Sequence, residues 1–357
     1  MRRVLVTGGA GFIGSALVRE LLLDPETHVI DVDKLTYAAS LESLAELDGE
    51  PRHVLERADI CDVAAVRAAF DDASPVGVFH LAAESHVDRS IDGPGDFVRT
   101  NVVGTFTLLA EALRYYRAGD DALRARFRFH HVSTDEVFGS LGDEGRFHET
   151  TAYDPRSPYS ATKASSDHLV RAWHHTYGLP VVLTNCSNNY GPRQFPEKLI
   201  PLVIIKALLG ESLPVYGKGT NVRDWLHVED HARALAEVLA RGTPGRSYNI
   251  GGDAERQNLD VVHAICDALD GLVAPLPQGP RRQLVTYVTD RPGHDHRYAM
   301  DATRIRDELG WTPRETFDTG LRKTVEWYLS HRGWWQRIRA GAYQGERLGL
   351  TGASRAP

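Results

Sequence analysis

Two short segments of the sequence carry the residue types best suited to proton transfer. In the first, Ser133-Thr134-Asp135-Glu136, two carboxyl groups directly follow two hydroxyl groups. Neighbouring side chains of a strand point to opposite faces, so a continuing strand would separate the two acids. A strand that ends here would let both acids turn into one cleft. The alternative is a capping box formed by Ser133 and Glu136, although glycines at 139, 142 and 145 leave little helix to cap.

The second segment places Tyr159 and Lys163 four positions apart, on one face of the helix that we expect to begin here. A tyrosine with a pKa of about 10 is a poor base at neutral pH. An ammonium group one helical turn away, together with a positively charged nicotinamide, would favour the phenolate. Tyr159 could then remove a hydroxyl proton while hydride leaves the same carbon, and Thr134 could hydrogen-bond the same oxygen. Without a dinucleotide-binding fold, an exposed helical pair would be the better interpretation.

A glycine pattern near the start of the chain is typical of such a fold. Gly8, Gly11 and Gly14 lie between a predicted strand over 3–7 and a predicted helix over 12–23. Glycines there permit a tight turn, and the start of the helix offers backbone N–H groups and a positive dipole to a pyrophosphate. A glycine-rich turn without a ligand is the alternative.

An acid at the end of the second predicted strand indicates which dinucleotide would bind. Asp33 lies 19 residues after Gly14, where a carboxylate bonds the ribose hydroxyls of NAD. Asp31 is the rival candidate, although it lies deeper in the strand. A carboxylate repels the 2′-phosphate of NADP, and only Lys34 follows, so the sequence favours NAD. Asp59 could contact the adenine or could be a plain turn residue.

Alternating elements place these residues at one edge of a sheet. Strands separated by helices predict an α/β fold with a Rossmann-type, doubly wound parallel sheet. The predicted strands are 3–7, 28–32, 76–81, 128–133 and 180–185, and the main helices are 12–23, 98–118 and 161–177. From about residue 189 prolines and glycines interrupt the pattern, with helices predicted at 199–209, 231–241 and 259–269. This part predicts a smaller, irregular C-terminal substrate domain.

Composition narrows the class of protein further. The 357 residues have 42% hydrophobic content and a net charge of −7 without a basic block, which argues against nucleic acid or an anionic membrane as a general partner. We expect neither a signal peptide nor a membrane span. Cys61, Cys186 and Cys266 are odd in number and far apart, which is typical of reduced thiols in a cytoplasmic protein.

Taken together, the motifs resemble a known superfamily. The glycine pattern, the segment 81–88, the Ser133–Glu136 segment and the Tyr159/Lys163 pair resemble the extended short-chain dehydrogenases/reductases. Over nearly the whole chain the sequence is similar to the dTDP-glucose 4,6-dehydratase family. The further matching segments are 33–37, 185–192, 195–201, 223–225 and 290–295.

The resemblance implies a hydro-lyase reaction that yields dTDP-4-keto-6-deoxyglucose. Tyr159 would take the C4 hydroxyl proton as hydride passes to NAD, and Glu136 would remove the C5 hydrogen. Protonated Asp135 would then deliver a proton to the departing C6 hydroxyl. Two close carboxyl groups can share one proton because joint ionisation is disfavoured. NAD is regenerated in each cycle, so it is expected to stay bound.

The predicted site is large. The expected catalytic residues are Thr134, Asp135, Glu136, Tyr159 and Lys163. The expected NAD contacts are Gly8, Gly11, Phe12, Ile13, Gly14, Asp33, Lys34, Leu35, Thr36, Asp59, Ile60, Leu81, Ala82, Ala83, Ser85, Thr100, Tyr159, Lys163 and Asn189. The substrate contacts that the resemblance implies are Ser85, Thr134, Asn188, Lys198, Leu199, Pro214, Val215, Tyr216, Arg223, Asn258, Asp290, Arg291, Pro292, Gly293 and His294. We expect no metal, because His294-Asp295-His296 lacks a further ligand group.

Domain bounds and assembly are also predicted. The cofactor-binding domain is expected over 1–188, completed by segments near 225–242 and 285–290. The sugar-nucleotide-binding domain is expected over 189–345, followed by a disordered tail over 346–357. Apolar surface on the helices 98–118 and 161–177 favours a homodimer, as in related enzymes.

Three alternatives remain open. A sugar-nucleotide 4-epimerase needs the Tyr–Lys pair and NAD, but not Asp135 and Glu136. A GDP-mannose 4,6-dehydratase would prefer NADP, which Asp33 disfavours. A non-catalytic dinucleotide sensor would not need both Tyr159 and Lys163. The sequence departs from the family pattern at three places: Phe138 replaces Tyr, Ala39-Ser40 replaces Gly-Asn, and Arg193 replaces an aromatic residue. The downstream deoxysugar pathway, to rhamnose or to another sugar, stays open.

Overall fold

A computed structural model describes residues 2–290 and 293–341. The strands are β1 Arg2–Thr7, β2 Thr27–Asp33, β3 His53–Arg57, β4 Gly77–His80, β5 Arg128–Thr134, β6 Val181–Cys186, β7 Asn188–Tyr190, β8 Leu213–Tyr216, β9 Val222–His227, β10 Ser247–Ile250, β11 Glu255–Gln257 and β12 Val285–Val288. The helices are α1 Phe12–Leu22, α2 Val63–Ala73, α3 Val87–Asp92, α4 Pro94–Phe97, α5 Thr105–Ala118, α6 Asp121–Arg126, α7 Pro158–Tyr177, α8 Leu199–Leu209, α9 Val228–Arg241, α10 Asn258–Leu272, α11 Thr303–Leu309, α12 Phe317–Ser330 and α13 Arg332–Gly341. The expected tail over 346–357 lies outside the described residues.

A seven-stranded parallel sheet forms the centre of the molecule, in the order β10-β6-β5-β4-β1-β2-β3. Side chains alternate across it, so that Val4 and Val6 of β1 join one hydrophobic core and Leu5 joins another on the opposite face. This arrangement confirms the predicted α/β, Rossmann-type fold.

Two later segments complete this half of the molecule. Helix α9 packs on α1 in the same core, through residues such as Leu235 and Leu17, within the predicted 225–242 segment. The prediction for 285–290 was wrong, because β12 pairs with β8 in a separate two-stranded sheet. The second segment that completes the central sheet is strand β10, which pairs with β6 at its edge. Such four-residue strands carry too little periodicity to reveal their partners.

The second region has its own core and small sheets. Strands β11, β9 and β7 form a three-stranded sheet, and helices α8, α10 and α12 enclose a core that includes Ile204, Ile265 and Val325. The division of the chain at residue 188 stays a prediction. No helix within 2–290 and 293–341 has the length and apolar character needed to cross a membrane.

Two helices next to the site differ from their predicted form. The helix predicted over 98–118 begins with a wider π-helical segment, Val98–Gly104, before α5. Its Asn101 side chain accepts from the backbone N–H of Glu84 at 2.9 Å and donates to the backbone O of Glu84 at 3.0 Å. Helix α7 begins at Pro158, earlier than predicted, after a capping box formed by Ser157 and Ser160. The cap places Tyr159 in the first helical turn.

Candidate active site

A cavity of about 300 Å³ lies at the carboxyl ends of the central strands. Ligands of open α/β sheets bind at this edge. The predicted residues in its lining are Gly8, Gly11, Phe12, Ile13, Gly14, Asp33, Lys34, Thr36, Asp59, Ile60, Leu81, Ala82, Ala83, Ser85, Thr100, Thr134, Asp135, Glu136, Tyr159, Lys163, Asn188, Asn189 and Lys198. The cavity therefore contains all five predicted catalytic residues and every predicted NAD contact except Leu35.

The glycine loop has the shape of a phosphate cradle. Gly8 has a φ of +81°, and a Cβ atom there would lie 2.7 Å from the backbone N of Ala82. A Cβ atom on Gly14 would lie 2.0 Å from the carbonyl O of Gly8. No side chain caps the start of α1 at Gly11, so the first-turn N–H groups are available to a ligand anion. These observations fit a bound dinucleotide.

Hydrogen bonds distinguish the two candidate acids of β2. Asp33 lines the cavity and accepts from the N–H groups of Leu35 at 2.7 Å and Ala10 at 3.0 Å. Asp31 is fully buried and accepts from the N–H of Gly9 at 2.9 Å. Asp31 thus supports the glycine loop from beneath, whereas Asp33 faces the cavity. Leu35 contributes its N–H to Asp33, and its side chain does not line the cavity.

The positive charge next to Asp33, on Lys34, already forms an ion pair. Lys34 Nζ lies 2.7 Å from Asp59 Oδ2, and both residues line the cavity. Burial raises the pKa of Asp33, while the N–H bonds from Leu35 and Ala10 act in the opposite direction and favour its ionised form. A 2′-phosphate would meet the Asp33 carboxylate and a lysine whose charge is neutralised, which disfavours NADP.

The strand that carries the acids ends where the motif suggested. Thr134 is the last residue of β5, and residues 135–138 form a short 3₁₀ turn. Thr134 Oγ1 accepts from the N–H of Glu136 at 3.3 Å and donates to Asp135 Oδ1 at 3.2 Å. The Ser133 hydroxyl donates elsewhere, to Asp167 at 2.8 Å. The capping-box alternative was therefore wrong, because Thr134 and not Ser133 caps the turn. Both acids line the cavity.

Asp135 has the electrostatics of a neutral acid. It is 2% exposed, and its Oδ2 has no hydrogen-bond partner within the described part of the chain. Burial and then the negative charge of Glu136 raise the pKa of Asp135 well above its usual range, although Arg223 acts in the opposite direction. This direction favours the protonated form of Asp135, which makes it suited to the role of general acid.

The electrostatics of Tyr159 differ from the sequence-based expectation. Burial and the charge of Glu136 raise the pKa of Tyr159 well above 10, and only the Thr134 hydrogen bond lowers it noticeably. Lys163 Nζ donates to the carbonyl O of Val132 at 2.8 Å, and burial lowers the pKa of this ammonium group. The side chains alone therefore do not favour the phenolate, because Tyr159 is buried and lies next to carboxyl groups.

Most of the predicted nucleotide contacts lie outside the cavity lining. These residues are Leu199, Pro214, Val215, Tyr216, Arg223, Asn258, Asp290, Gly293 and His294. Arg291 and Pro292 fall outside the described residues. The Val215 side chain is buried in the core of the second region, so the prediction of a substrate contact applies at most to its backbone. The other contacts stay predictions.

Two of these residues already have firm contacts. Arg223 donates to the carbonyl O of Val222 at 2.7 Å and of Asp295 at 2.9 Å, and lies 4.1 Å above the ring of Tyr298. The Tyr216 hydroxyl donates to Asp88 at 3.3 Å. Both contacts tie a strand of the second region to a neighbouring loop or helix. Within residues 2–290 and 293–341, no group of three or more His, Cys, Asp or Glu residues is placed so that it could hold a metal ion.

Other lining residues were not predicted. They are Val32, Ala38, Ala39, Ala58, Glu84, Val132, Ser133, Cys186, Ser187, Gln194, Phe195 and Glu197. Several lie at or next to the carboxyl end of a strand, and the rule that ligands bind at carboxyl ends could have found them. Glu197 had no such signal: it is buried and accepts from Tyr37 and Arg89, both at 3.1 Å.

Comparison with known proteins places the fold in a class. Residues 5–324 match the family described as GDP-mannose 4,6 dehydratase. Among solved structures, a dTDP-glucose 4,6-dehydratase from Streptomyces venezuelae with NAD bound is 45% identical with a TM-score of 0.86, covering 94% of this chain and 99% of that one. A UDP-glucose 4-epimerase from Thermus thermophilus in complex with NAD is 29% identical with a TM-score of 0.80, covering 92% and 99%. The fold is thus shared by nucleotide-sugar dehydratases and epimerases.

Sequence identity to curated relatives identifies the subgroup within this class. A dTDP-glucose 4,6-dehydratase from Escherichia coli is 58% identical over 360 residues, which cover 98% of this chain and 99% of that protein. The chain belongs to the dTDP-glucose 4,6-dehydratase family.

Proposed function

We propose that this chain catalyses the NAD-dependent conversion of dTDP-glucose to dTDP-4-keto-6-deoxyglucose. The observation that carries the proposal is the pair of adjacent acids in one cavity, where burial and the charge of Glu136 raise the pKa of Asp135 and favour its protonated form. Loss of water needs one group that gives a proton and one that takes a proton. Tyr159 and Lys163 line the same cavity and supply the residues for oxidation of the sugar.

The residues act in sequence on one sugar. Tyr159 takes the C4 hydroxyl proton, with Thr134 bonding the same oxygen. The new ketone acidifies the C5 hydrogen, which Glu136 removes as general base, and Asp135 protonates the C6 hydroxyl as it leaves as water. NAD held in this site would serve as the hydride acceptor for C4 and the hydride donor for C6, and its positively charged nicotinamide would favour the phenolate of Tyr159. Glu136 returns its proton to C5. Tyr159 gains one proton and Asp135 loses one, so exchange through solvent restores the starting charges.

The NAD contacts are proposed on the geometry of the first half of the chain. The loop of Gly8, Gly11 and Gly14 would hold the pyrophosphate at the start of α1, and Asp33 would bond the adenosine ribose. Phe12 and Ile13 lie in the same first turn. Near the nicotinamide, Lys163 would bond the ribose from its position beside Val132.

A comparison of three substrates tests the proposed function. Purified protein is incubated separately with dTDP-glucose, UDP-glucose and GDP-mannose, first without and then with added NAD. We expect the loss of one water from dTDP-glucose, measured by mass spectrometry, and much slower reaction of the other two. Conversion of UDP-glucose to UDP-galactose without a change of mass would instead establish an epimerase. Loss of water from GDP-mannose alone would identify the other dehydratase.

Replacing Asp33 by Asn tests the choice of cofactor. The carboxylate is expected to bond the ribose of NAD, and loss of a hydrogen bond to a charged group costs about 1.5–3 kcal/mol, so the NAD dissociation constant should rise by about tenfold or more. The affinity for NADP should fall less or improve. Calorimetric titration of cofactor-free protein measures both, with Asp48→Asn at an exposed position as the control. Unchanged NAD affinity in Asp33→Asn would remove the ribose contact.

We also propose a homodimer that forms through one helical face. Val103 and Phe106, on the π-helical segment and α5, are 46% and 48% exposed, and Phe106 contacts Trp173 of α7 edge to face. Exposed apolar side chains on adjacent helices suit an interface between two copies. Light scattering on purified protein would give a single-chain mass if this proposal fails.

A cytoplasmic location is proposed from the cysteines. Cys61, Cys186 and Cys266 are all unpaired, and Cys186 and Cys266 are buried. Unpaired thiols are typical of reducing compartments. Recovery of the native protein from the periplasmic or secreted fraction of its source cells would contradict this location.

A further inference from the structure

A buried cluster behind the acid pair has no part in the mechanism above. Its centre is Asp167, which is fully buried on α7, one turn after Lys163 and two turns after Tyr159. Asp167 Oδ2 accepts from the hydroxyls of Ser133 and Tyr153, both at 2.8 Å. Asp167 thus contacts the residue that directly precedes Thr134 and lies on the helix that carries the Tyr–Lys pair.

A second contact reaches the end of β5 through an amide. Asn185 Nδ2 donates to the carbonyl O of Thr134 at 3.1 Å and lies 3.4 Å from Asp167 Oδ2. Ser133 and Asn185 therefore link Asp167 to the two residues immediately before Asp135. The direction in which β5 ends determines where both acids point, so this network fixes the base of the catalytic turn.

The charge of Asp167 is maintained in spite of its burial. Burial alone would raise the pKa of Asp167, but His131, with Nε2 at 3.1 Å, the charge of Lys163 and the Tyr153 hydroxyl outweigh it and hold the pKa below its usual value. Burial lowers the pKa of His131 to about 4, so this imidazole is neutral at pH 7. Arg171 donates to the Tyr153 hydroxyl at 2.9 Å.

Asp167 also provides a negative charge that stabilises the ammonium form of Lys163. The titratable groups that face Lys163 are Tyr159 and Asp167 on its own helix, His80 on β4, His131 on β5 and Cys186 on β6. Burial lowers the pKa values of both histidines and raises that of the Cys186 thiol, so these three groups are neutral at pH 7. The ionised carboxylate of Asp167 favours the ammonium form of Lys163, which burial disfavours.

We propose that Asp167 is a positioning residue for the dehydration, which keeps Lys163 in its charged form and holds the end of β5 so that Asp135 and Glu136 face the substrate. The proposal rests on the proposed function, since both of its consequences are read from that reaction. Asp167 touches neither the substrate nor the cofactor and acts through Lys163, Ser133 and Asn185.

The holoenzyme variant Asp167→Asn tests the proposal through the pH dependence of kcat. Without the carboxylate, Lys163 loses its proton at lower pH, so the limb on which activity falls as pH rises should move toward acid by about one unit or more. At pH 7 we expect kcat to fall about tenfold or more, since charged hydrogen bonds are lost, while KM for dTDP-glucose stays within about twofold of wild type.

Three further variants separate charge from tethering. Tyr153→Phe removes one hydrogen bond to Asp167 but leaves its charge, and the alkaline limb should stay in place. Asp167→Glu also keeps the charge and should keep the limb, even with a reduced kcat, and it serves if the asparagine variant does not fold. Ser133→Ala should lower kcat without moving the limb.

The outcomes that overturn the proposal are distinct from failure of the proposed function. An alkaline limb that is unchanged in Asp167→Asn, or that moves in Asp167→Glu as it does in Asp167→Asn, would leave Asp167 a purely structural residue. A wild-type kcat in Ser133→Ala would refute the tether at the end of β5. If wild-type protein does not convert dTDP-glucose, the proposed function itself fails, which the substrate comparison shows before any variant is made.

Discussion

Glu136→Gln protein mixed with dTDP-glucose is expected to form NADH and then stop. Tyr159 and Lys163 are intact in this variant, so oxidation at C4 can proceed. The amide cannot take the C5 proton, and loss of a general base typically costs about 10²–10⁴-fold in rate. Stopped-flow absorbance should show NADH that accumulates and persists, and mass spectrometry should show no uptake of solvent deuterium at C5.

Glu144→Gln is the matched control for this variant. Glu144 is exposed, eight positions further along the chain, so the same loss of charge occurs outside the cavity. Its turnover and deuterium uptake should equal those of the wild type. If Glu136→Gln exchanges C5 deuterium at the wild-type rate, another group is the base, and the interpretation of the adjacent acids has to be abandoned.

Tyr159→Phe is expected to block the reaction one step earlier. The ring keeps its place in the first turn of α7, but no group remains to take the C4 hydroxyl proton. Turnover should fall by about 10²–10⁴-fold, and no transient NADH should appear when the variant is mixed with dTDP-glucose. The absence of transient NADH distinguishes this variant from Glu136→Gln.

Tyr177→Phe makes the same change at an exposed position of the same helix. We expect wild-type NADH transients in this control. Calorimetry should show that Tyr159→Phe still binds dTDP-glucose with near wild-type affinity, since the hydroxyl acts mainly in the transition state. NADH formation at the wild-type rate in Tyr159→Phe would show that a different base serves the oxidation.

The central sheet could be predicted because its signals are local. Strands β1, β4 and β5 are each followed by a helix before the next strand of the sheet, and parallel strands joined by helices have few possible arrangements. Strands β10 and β12 could not be assigned, because four residues show a strand but not its partner. Pairing between segments distant in the chain depends on the packing of the whole molecule.

At the site, the positions of the residues could be predicted from the sequence, but their electrostatics could not. Types and spacing were enough to bring Gly8, Asp33 and Tyr159 to one cavity. Electrostatics were not readable, because burial is a property of the fold: it makes Asp135 a suitable acid but also opposes ionisation of Tyr159. The same limit explains Asp167, which in the sequence is one of many helical acids and becomes distinctive only when Ser133 and Asn185 converge on it.

The path of the chain through the central sheet has a consequence for biosynthesis. Strand β6 receives its outer neighbour only from residues 247–250, after 187–246 have been made, and α1 receives α9 only from residues 228–241. Until then β6 presents an open edge, which is prone to pair with other chains. The half of the molecule that is synthesised first therefore cannot complete its native contacts until the later segments have been made, and the edge of β6 stays open during that interval.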